Sequence, residues 1–306
     1  MEILSGLEAL PDPRLMGSVV TWGVFDGVHR GHRRVLETLR NWAREISAPS
    51  VAITFDRPPS EVLTGKPVPL LVPLEERLRR IGDTGVDFAL VIAFTPEFAR
   101  LGADDFARDV VAGRLRARGI VLGHDSRFGR GREGDLDLLT RLGRDLGIEV
   151  RRCAPELHQG KPVSSSLIRE AVAAGRLEEA TLLLGRAPSV TGTVVRGDRR
   201  GTRLGFPTAN IPLGRVVHPP AGVYAVEASL EGRVYRGVAN LGTRPTFEAG
   251  GREVLEVHFL DYPGGDLYGR VVEVRFLRRL REERRFDNAE ALRRQIQADI
   301  ESVRSR

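Results

Sequence analysis

Phosphate chemistry is what the residues of this chain are best equipped for. Two histidines three residues apart, His29 and His32, lie in the glycine-rich run Gly23-Val-Phe25-Asp26-Gly27-Val-His29-Arg-Gly31-His32. Ser18-Val-Val-Thr-Trp22 ahead of it favours a strand, and Val35, Leu36, Leu39 and Trp42 behind it recur at helical spacing. The imidazoles therefore fall one turn apart near a helix start, where unpaired N–H groups attract an anion and glycines let backbone approach it. A metal pair is a rival use, but zinc needs a third protein ligand and Asp26 is the one nearby acid. Surface histidines in an ordinary βα turn are the bland alternative.

Other runs add to this chemistry. Ser164-Ser165-Ser166-Leu-Ile-Arg169 offers hydroxyls, helix-terminal N–H groups and an arginine to a second set of phosphate oxygens, and by itself reads equally as a plain N-cap. Gly123-His-Asp125-Ser126-Arg127-Phe128-Gly129-Arg-Gly131-Arg-Glu-Gly134 ends in G-x-G-x-x-G, with Glu149 near the spacing of a ribose-binding acid. A dinucleotide fingerprint should follow the first strand, whereas this one follows a fourth strand and a loop, so that reading is rejected in favour of a loop. Lys66 and Lys161 are each followed by proline, which excludes a P-loop.

The second half has a constellation of its own. Gly192-Thr-Val-Val-Arg-Gly197, Gly201 and Gly205 lead into Phe206-Pro207-Thr208-Ala-Asn210, an extended segment with Thr208 and Asn210 on one face. Magnesium takes few protein ligands and relies on substrate phosphates for the others, so two hard oxygens beside a glycine loop would suit Mg²⁺ and ATP. Alone, the segment reads as loop and turn. In Val254-Leu-Glu256-Val-His258-Phe, alternation puts Leu255, Val257 and Phe259 on one face and Glu256 with His258 on the other. Glu256 is then either a solvated strand residue or a carboxylate able to take a proton from an attacking hydroxyl.

The elements that must position these groups are of two kinds. From residue 18 to 155, apolar runs alternate with amphipathic ones: Val51–Phe55, Phe88–Ile92, Gly119–Gly123 and Gly147–Val150 are expected strands of a parallel sheet wound with helices. After Gly185-Arg-Ala-Pro-Ser189 come Val190–Val195, Val223–Leu230, Val234–Leu241, Val254–Leu260 and Val271–Leu277, with helical spacing only beyond Phe286. That texture predicts a small antiparallel β-barrel closed by a C-terminal helix. The expected class is thus α/β plus β, divided into residues 1–186 and 187–306.

Composition narrows the partners. The hydrophobic share of 41% and charged share of 29% describe a soluble globular chain. No basic leader or long uncharged apolar stretch is visible, so a cytoplasmic protein without membrane contact is expected. The formal charge of +6 raises nucleic-acid binding, yet the 47 basic residues include only two lysines, and the arginines alternate with acids as in Arg278–Arg285. Such a pattern is solvated surface, so no nucleic-acid partner is expected. Cys153 is the single cysteine, which excludes an intrachain disulfide and reads as a small core residue.

Gly23 to His32 resembles the GxFDGxHxGH signature of nucleotidyltransferases that transfer an adenylyl or cytidylyl group. Within that superfamily the first half is similar to the adenylyltransferase module of bacterial bifunctional riboflavin kinase/FAD synthetases, and the second half looks like their kinase module. The resemblance implies a Rossmann-like first domain that makes FAD from FMN and a barrel that makes FMN from riboflavin, with ATP as co-substrate and Mg²⁺. Gly23, Phe25, Asp26, Gly31, Ser164, Ser165 and Ser166 would then bind nucleotide, and His29, His32 and Arg169 would act on the transferring phosphate. Ser166 stands where the family's SSTxIR motif has threonine. Asp125, Arg127 and Phe128 match a GxDFRFG segment that shapes the flavin and nucleotide site, although Ser126 replaces its phenylalanine. Arg57 and Pro58 depart from the TFxPHP pattern. In the second half PTAN resembles the kinases' metal motif, Thr208 with Asn210. Gly192, Gly197, Gly201, Gly205 and Pro207 would line ATP. LEVHFLD matches the segment that carries their base, Glu256. Gly222-Val-Tyr224, Gly242-Thr-Arg-Pro-Thr-Phe247, Leu267-Tyr-Gly269 and Arg281, taken as a flavin contact, also follow the kinase pattern. The implied partners are riboflavin, FMN and ATP. A one-activity enzyme, or a flavin-sensing or RNA-binding regulator built on the same folds, is left as an alternative.

Overall fold

A computed structural model of the chain describes residues 1–197, 200–244 and 252–305. In chain order, the first half contains β1 (Glu2–Ser5), β2 (Val19–Trp22), α1 (Arg30–Glu45), β3 (Ser50–Phe55), α2 (Pro59–Thr64), α3 (Leu74–Gly82) and β4 (Phe88–Ile92). It continues through α4 (Ala103–Asp105, extended by a π-helix over Phe106–Arg114), β5 (Gly119–Leu122), α5 (Leu136–Leu146), β6 (Glu149–Arg152) and a two-residue hairpin, β7 (Leu157–His158) with β8 (Lys161–Pro162).

The six main strands form a parallel sheet in the order β1-β4-β3-β2-β5-β6. Four of the expected strands match closely, and the last begins two residues later than expected. Strand β1 was not expected and pairs its Glu2 with Phe88. Both faces are covered, as the near-continuous apolar runs require. One face packs Val20, Ile53, Leu90 and Ile120 against the π-helix and α5; the other packs Val19, Ala52 and Val121 against Leu36, Leu39 and Trp42 of α1. Strand order reverses at β2, whose neighbours are β3 and β5. In open α/β sheets the crevice beyond the strand ends at such a switch is where ligands bind.

The second half holds α6 (Ser165–Ala173), α7 (Leu177–Leu184), β9 (Ser189–Thr193), α8 (Arg200–Arg203), β10 (Ala209–Pro212), β11 (Gly222–Leu230), β12 (Arg233–Arg244), β13 (Arg252–Phe259), β14 (Val271–Arg281) and α9 (Ala289–Arg304). Its sheet is antiparallel in the order β10-β13-β12-β11-β14-β9. The N–H of Val195 donates to the carbonyl of Asn210 at 2.9 Å, so the two edges meet and the sheet is nearly closed. Val190, Tyr224, Val226, Leu255, Val257, Val274 and Phe276 fill its interior, while Ile300 and Val303 of α9 cover Val223, Ala225 and Val238 outside.

Contact density divides the chain into one unit of Met1–Val68 with Leu74–Ser165 and another of Pro69–Pro73 with Ser166–Arg306. This differs from the expected division at 186/187. Helices α6 and α7 group with the barrel because Leu177 joins its core, and the short strap Pro69–Pro73 does so through Leu70, whose N–H donates to Arg215 O and whose carbonyl accepts from Val217 N–H.

Candidate active sites

In the first unit, β2 ends at Trp22 and the chain runs through a tight loop into α1. Phe25 (φ 52°) and Val28 (φ 41°) both adopt left-handed backbone, which is costly for a side chain with a Cβ and most of all for β-branched Val28. Both are buried. Thr54 Oγ1 donates to Val24 O at 3.1 Å, and Ser165 Oγ donates to Asp26 O at 3.0 Å, so neighbouring elements hold the loop in shape.

His29 is the N-cap of α1. Its Nδ1 accepts the backbone N–H of His32 at 3.3 Å, which leaves the proton of the neutral ring on Nε2. The two imidazoles are stacked, with centroids 3.6 Å apart and planes 20° from parallel, and Phe25 meets His32 edge to face at 5.3 Å. A Cβ on Gly31 would lie 3.2 Å from the His29 ring, so glycine there lets the imidazole lie flat on the backbone. The Nδ1 of His32 is buried without a hydrogen-bond partner among the described residues. Burial, followed by the charges of His29 and Arg77, holds His32 well below the ordinary imidazole value of 6.5, so it is neutral at physiological pH. Two imidazoles at a helix N-terminus, that of His32 neutral, supply N–H donors for an anion. Gly23, Asp26 and Ser164 lie in the same unit; Asp26 is buried. Ser166 and Arg169 belong to the other unit, on a helix that opens at Ser165 as the spacing predicts.

The loop after β5 borders a cavity of about 230 Å³ lined in part by Gly123, His124, Asp125, Arg127, Asp135 and Arg152. Asp125 is exposed, and Arg127 pairs with Asp135 at 2.8 Å. Phe128 is instead a core residue, edge-on to Trp22 at 5.2 Å and 7% exposed. Arg57 pairs with Asp56, and Pro58 caps α2.

In the second unit Glu256 faces away from the packed interior, as alternation predicts, and stands in register with Asn210 on β10 and Asn240 on β12. Asn240 Nδ2 donates to Glu283 at 2.9 Å. Asn210 is 6% exposed, and a Cβ on Gly197 would lie 2.4 Å from its Nδ2, so only glycine accommodates the amide. A Cβ on Gly201 would come within 2.3 Å of Phe206 O and 3.3 Å of the Thr208 hydroxyl. Pro207 O lies 2.9 Å from His258 Nδ1. Two neutral oxygens against a glycine cradle fit a magnesium ion that completes its shell with phosphate and water. Gly205 turns with φ 90°, and Gly192 packs on Ile211.

Arg281 is engaged elsewhere: its guanidinium pairs with Asp299 of α9 at 2.8 Å, and Asp299 also accepts from Gln295. Tyr224 is fully buried in the core. Residues 245–247 of the expected kinase pattern lie outside the described residues. Sequence reasoning passed over Arg77, Asn240 and Glu283. Asn240 sits directly across from Glu256, but that register becomes visible only once strands are paired.

Residues 12–167 match the family model described as FAD synthetase, and residues 184–306 the one described as riboflavin kinase. A bifunctional riboflavin kinase/FMN adenylyltransferase of Escherichia coli strain K12 is 41% identical over 301 residues, covering 98% of this chain and 96% of that protein. Proteins of the same name from Pseudomonas fluorescens and Bacillus subtilis are 39% and 36% identical, over 100% and 92% of this chain and 97% and 90% of their own lengths. A solved structure from Streptococcus pneumoniae, named as a macrolide-efflux protein, is 31% identical, covers 99% of both chains and superposes with a TM-score of 0.88. Among the described residues no helix is long and apolar enough to cross a membrane.

Proposed function

The chain belongs to the family of bifunctional riboflavin kinase/FMN adenylyltransferases, and from that premise we propose how its residues divide the work. Residues 187–306 convert riboflavin and ATP to FMN and ADP. Residues 1–186 convert FMN and a second ATP to FAD and pyrophosphate. The observation that carries this reading is the presence, in one chain, of stacked imidazoles at a helix N-terminus and of a carboxylate in register with a buried asparagine beside a glycine cradle.

In the kinase reaction Glu256 takes the proton of the ribityl 5′-hydroxyl as its oxygen bonds to the γ-phosphorus of ATP and the bond to ADP breaks. Thr208 and Asn210 would hold Mg²⁺, which when bound offsets phosphate charge. Gly192, Gly197, Gly201, Gly205 and Pro207 give the nucleotide close access to backbone. In the second reaction a phosphate oxygen of FMN bonds to the α-phosphorus of ATP and pyrophosphate leaves. His29, His32 and Arg169 donate to the oxygens on which charge develops, a role worth on the order of 10²–10³ in rate per donor. Gly23, Phe25, Asp26, Gly31 and the three serines shape the phosphate loop, while Asp125 and Arg127 border the flavin. The substrates are small molecules, and the reading puts the protein in the cytoplasm.

Incubation of the purified chain with riboflavin, ATP and Mg²⁺, with flavins separated over time, tests the proposal. FMN followed by FAD is the expected course. FMN alone would refute the flavin specificity of the first half, and neither product would refute both assignments.

A further inference from the structure

Arg77 is 3% exposed, in the helix α3 that precedes β4. Taking a guanidinium out of water is costly unless its donors are met. Two are met, and by an unusual pair. One Nη donates to Val24 O at 2.8 Å and the other to Phe55 O at 2.5 Å. Val24 lies just past the end of β2 and Phe55 is the last residue of β3, strands that run side by side. One planar fork therefore ties together the carboxyl ends of two parallel strands at the mouth of the crevice. The carbonyl it grips on the β2 side directly precedes Phe25, where the strained backbone begins.

The rest of the group points the same way. The Nε of Arg77 is buried without a hydrogen-bond partner among the described residues. The charge is sensed by Asp26, Asp56 and Glu75, which favour it, against the burial that disfavours it. It is also sensed by His32, which faces His29 of its own helix start and Arg77 of α3. A lysine could supply the charge but not two parallel donors in a fixed plane.

We propose that Arg77 is a positioning residue for adenylyl transfer: its fork clamps the Val24 and Phe55 carbonyls so that the strained loop presents His29 and His32 to the nucleotide phosphates. This rests on the reading of the first half as an adenylyltransferase. The fork fixes geometry, and the charge adds to the burial and the His29 contribution that already hold His32 low. The two contributions separate in two substitutions, Arg77→Lys, which keeps charge without the fork, and Arg77→Met, which removes both.

The test uses the full chain. FAD formation from FMN and ATP is measured for kcat and KM, riboflavin phosphorylation serves as the internal control, and the imidazole of His32 is titrated by NMR, its signal assigned by absence in His32→Asn. Both variants should lose kcat by ~10–10²-fold, the scale of a small misplacement of reacting groups, with phosphorylation intact. His32 should titrate at higher pH in Arg77→Met than in the parent and stay low in Arg77→Lys. Parental kcat per folded molecule in Arg77→Lys, or an unmoved His32 titration in Arg77→Met, would overturn the proposal. Should the parent chain make no FAD from FMN, the reading of the reaction fails instead, and the His32 titration alone decides the place of Arg77. Were Arg77→Met not to fold, Arg77→Lys carries the kinetic test.

Discussion

The Nδ1 of His29 accepts the backbone N–H of His32 while the two rings stack 3.6 Å apart. One side chain thus caps the helix and, in the proposed mechanism, also binds phosphate. Asparagine is as good an N-cap as any residue, so His29→Asn keeps the helix start and removes the imidazole. FAD formation should fall by ~10²–10³ in this variant and in His32→Asn, with FMN formation unchanged. Assay of both products in one time course checks it, and undiminished FAD in His32→Asn would remove that residue from the mechanism.

Glu256→Gln should do the reverse. With riboflavin and ATP no FMN should accumulate, whereas FAD should still form when FMN is supplied. The amide keeps the size and the strand register with Asn210 but cannot take the proton. Phosphorylation at the parental rate would show that another group is the base.

Gly197→Ala probes the proposed metal cradle without touching an oxygen. The added methyl would meet the Asn210 amide at 2.4 Å from Nδ2 and push it aside. The kinase should then need a higher Mg²⁺ concentration for half-maximal rate, while the Mg²⁺ dependence of FAD formation stays as it was. Rate measured against Mg²⁺ for each reaction distinguishes this from a general loss of stability.

Acid should weaken the first unit through His32. Its folded value lies well below the ordinary 6.5, mainly through burial. Between those two values the unfolded chain binds more protons than the folded one, so stability falls as pH drops below about 6.5 and is unaffected above it. Urea midpoints compared at about pH 7.5 and about pH 5.5 should show the loss in the parent and less of it in His32→Asn.

Arg281→Met should destabilise the barrel by on the order of 3 kcal/mol, because it takes the cationic partner from the carboxylate of Asp299, 6% exposed on α9, and leaves it the Gln295 amide. Chemical denaturation measures this. A raised KM for riboflavin at unchanged stability would instead return Arg281 to the flavin.

The chemistry was legible where it is local. Glycines and histidines within ten residues mark the proposed phosphate loop, and alternation alone turned Glu256 outward, because a strand's two faces are written in consecutive residues. What escaped is long-range. Arg77 reads in Leu-Glu-Glu-Arg-Leu-Arg-Arg as one more solvated arginine, and only the strand ends it reaches, Val24 and Phe55, explain its burial. Phe128 reads as a ligand contact but joins Trp22 and Phe106 in the core. Arg281 has its partner eighteen residues on, across a loop. Strand β1 carries Glu2 and Ser5 on an exposed sheet edge and shows little apolar pattern to announce it.

The strap Pro69–Pro73 comes from the first half of the sequence yet groups by its contacts with the second unit. A gene shortened to encode the sheet alone would keep the strap and lose Arg215 and Val217, the backbone partners of Leu70. Leu71 and Val72, 5% and 4% exposed in the whole chain, would be carried along without that anchor, just ahead of the helix that bears Arg77. A single cut between the two halves of the sequence therefore leaves Leu70 on one piece and its backbone partners Arg215 and Val217 on the other.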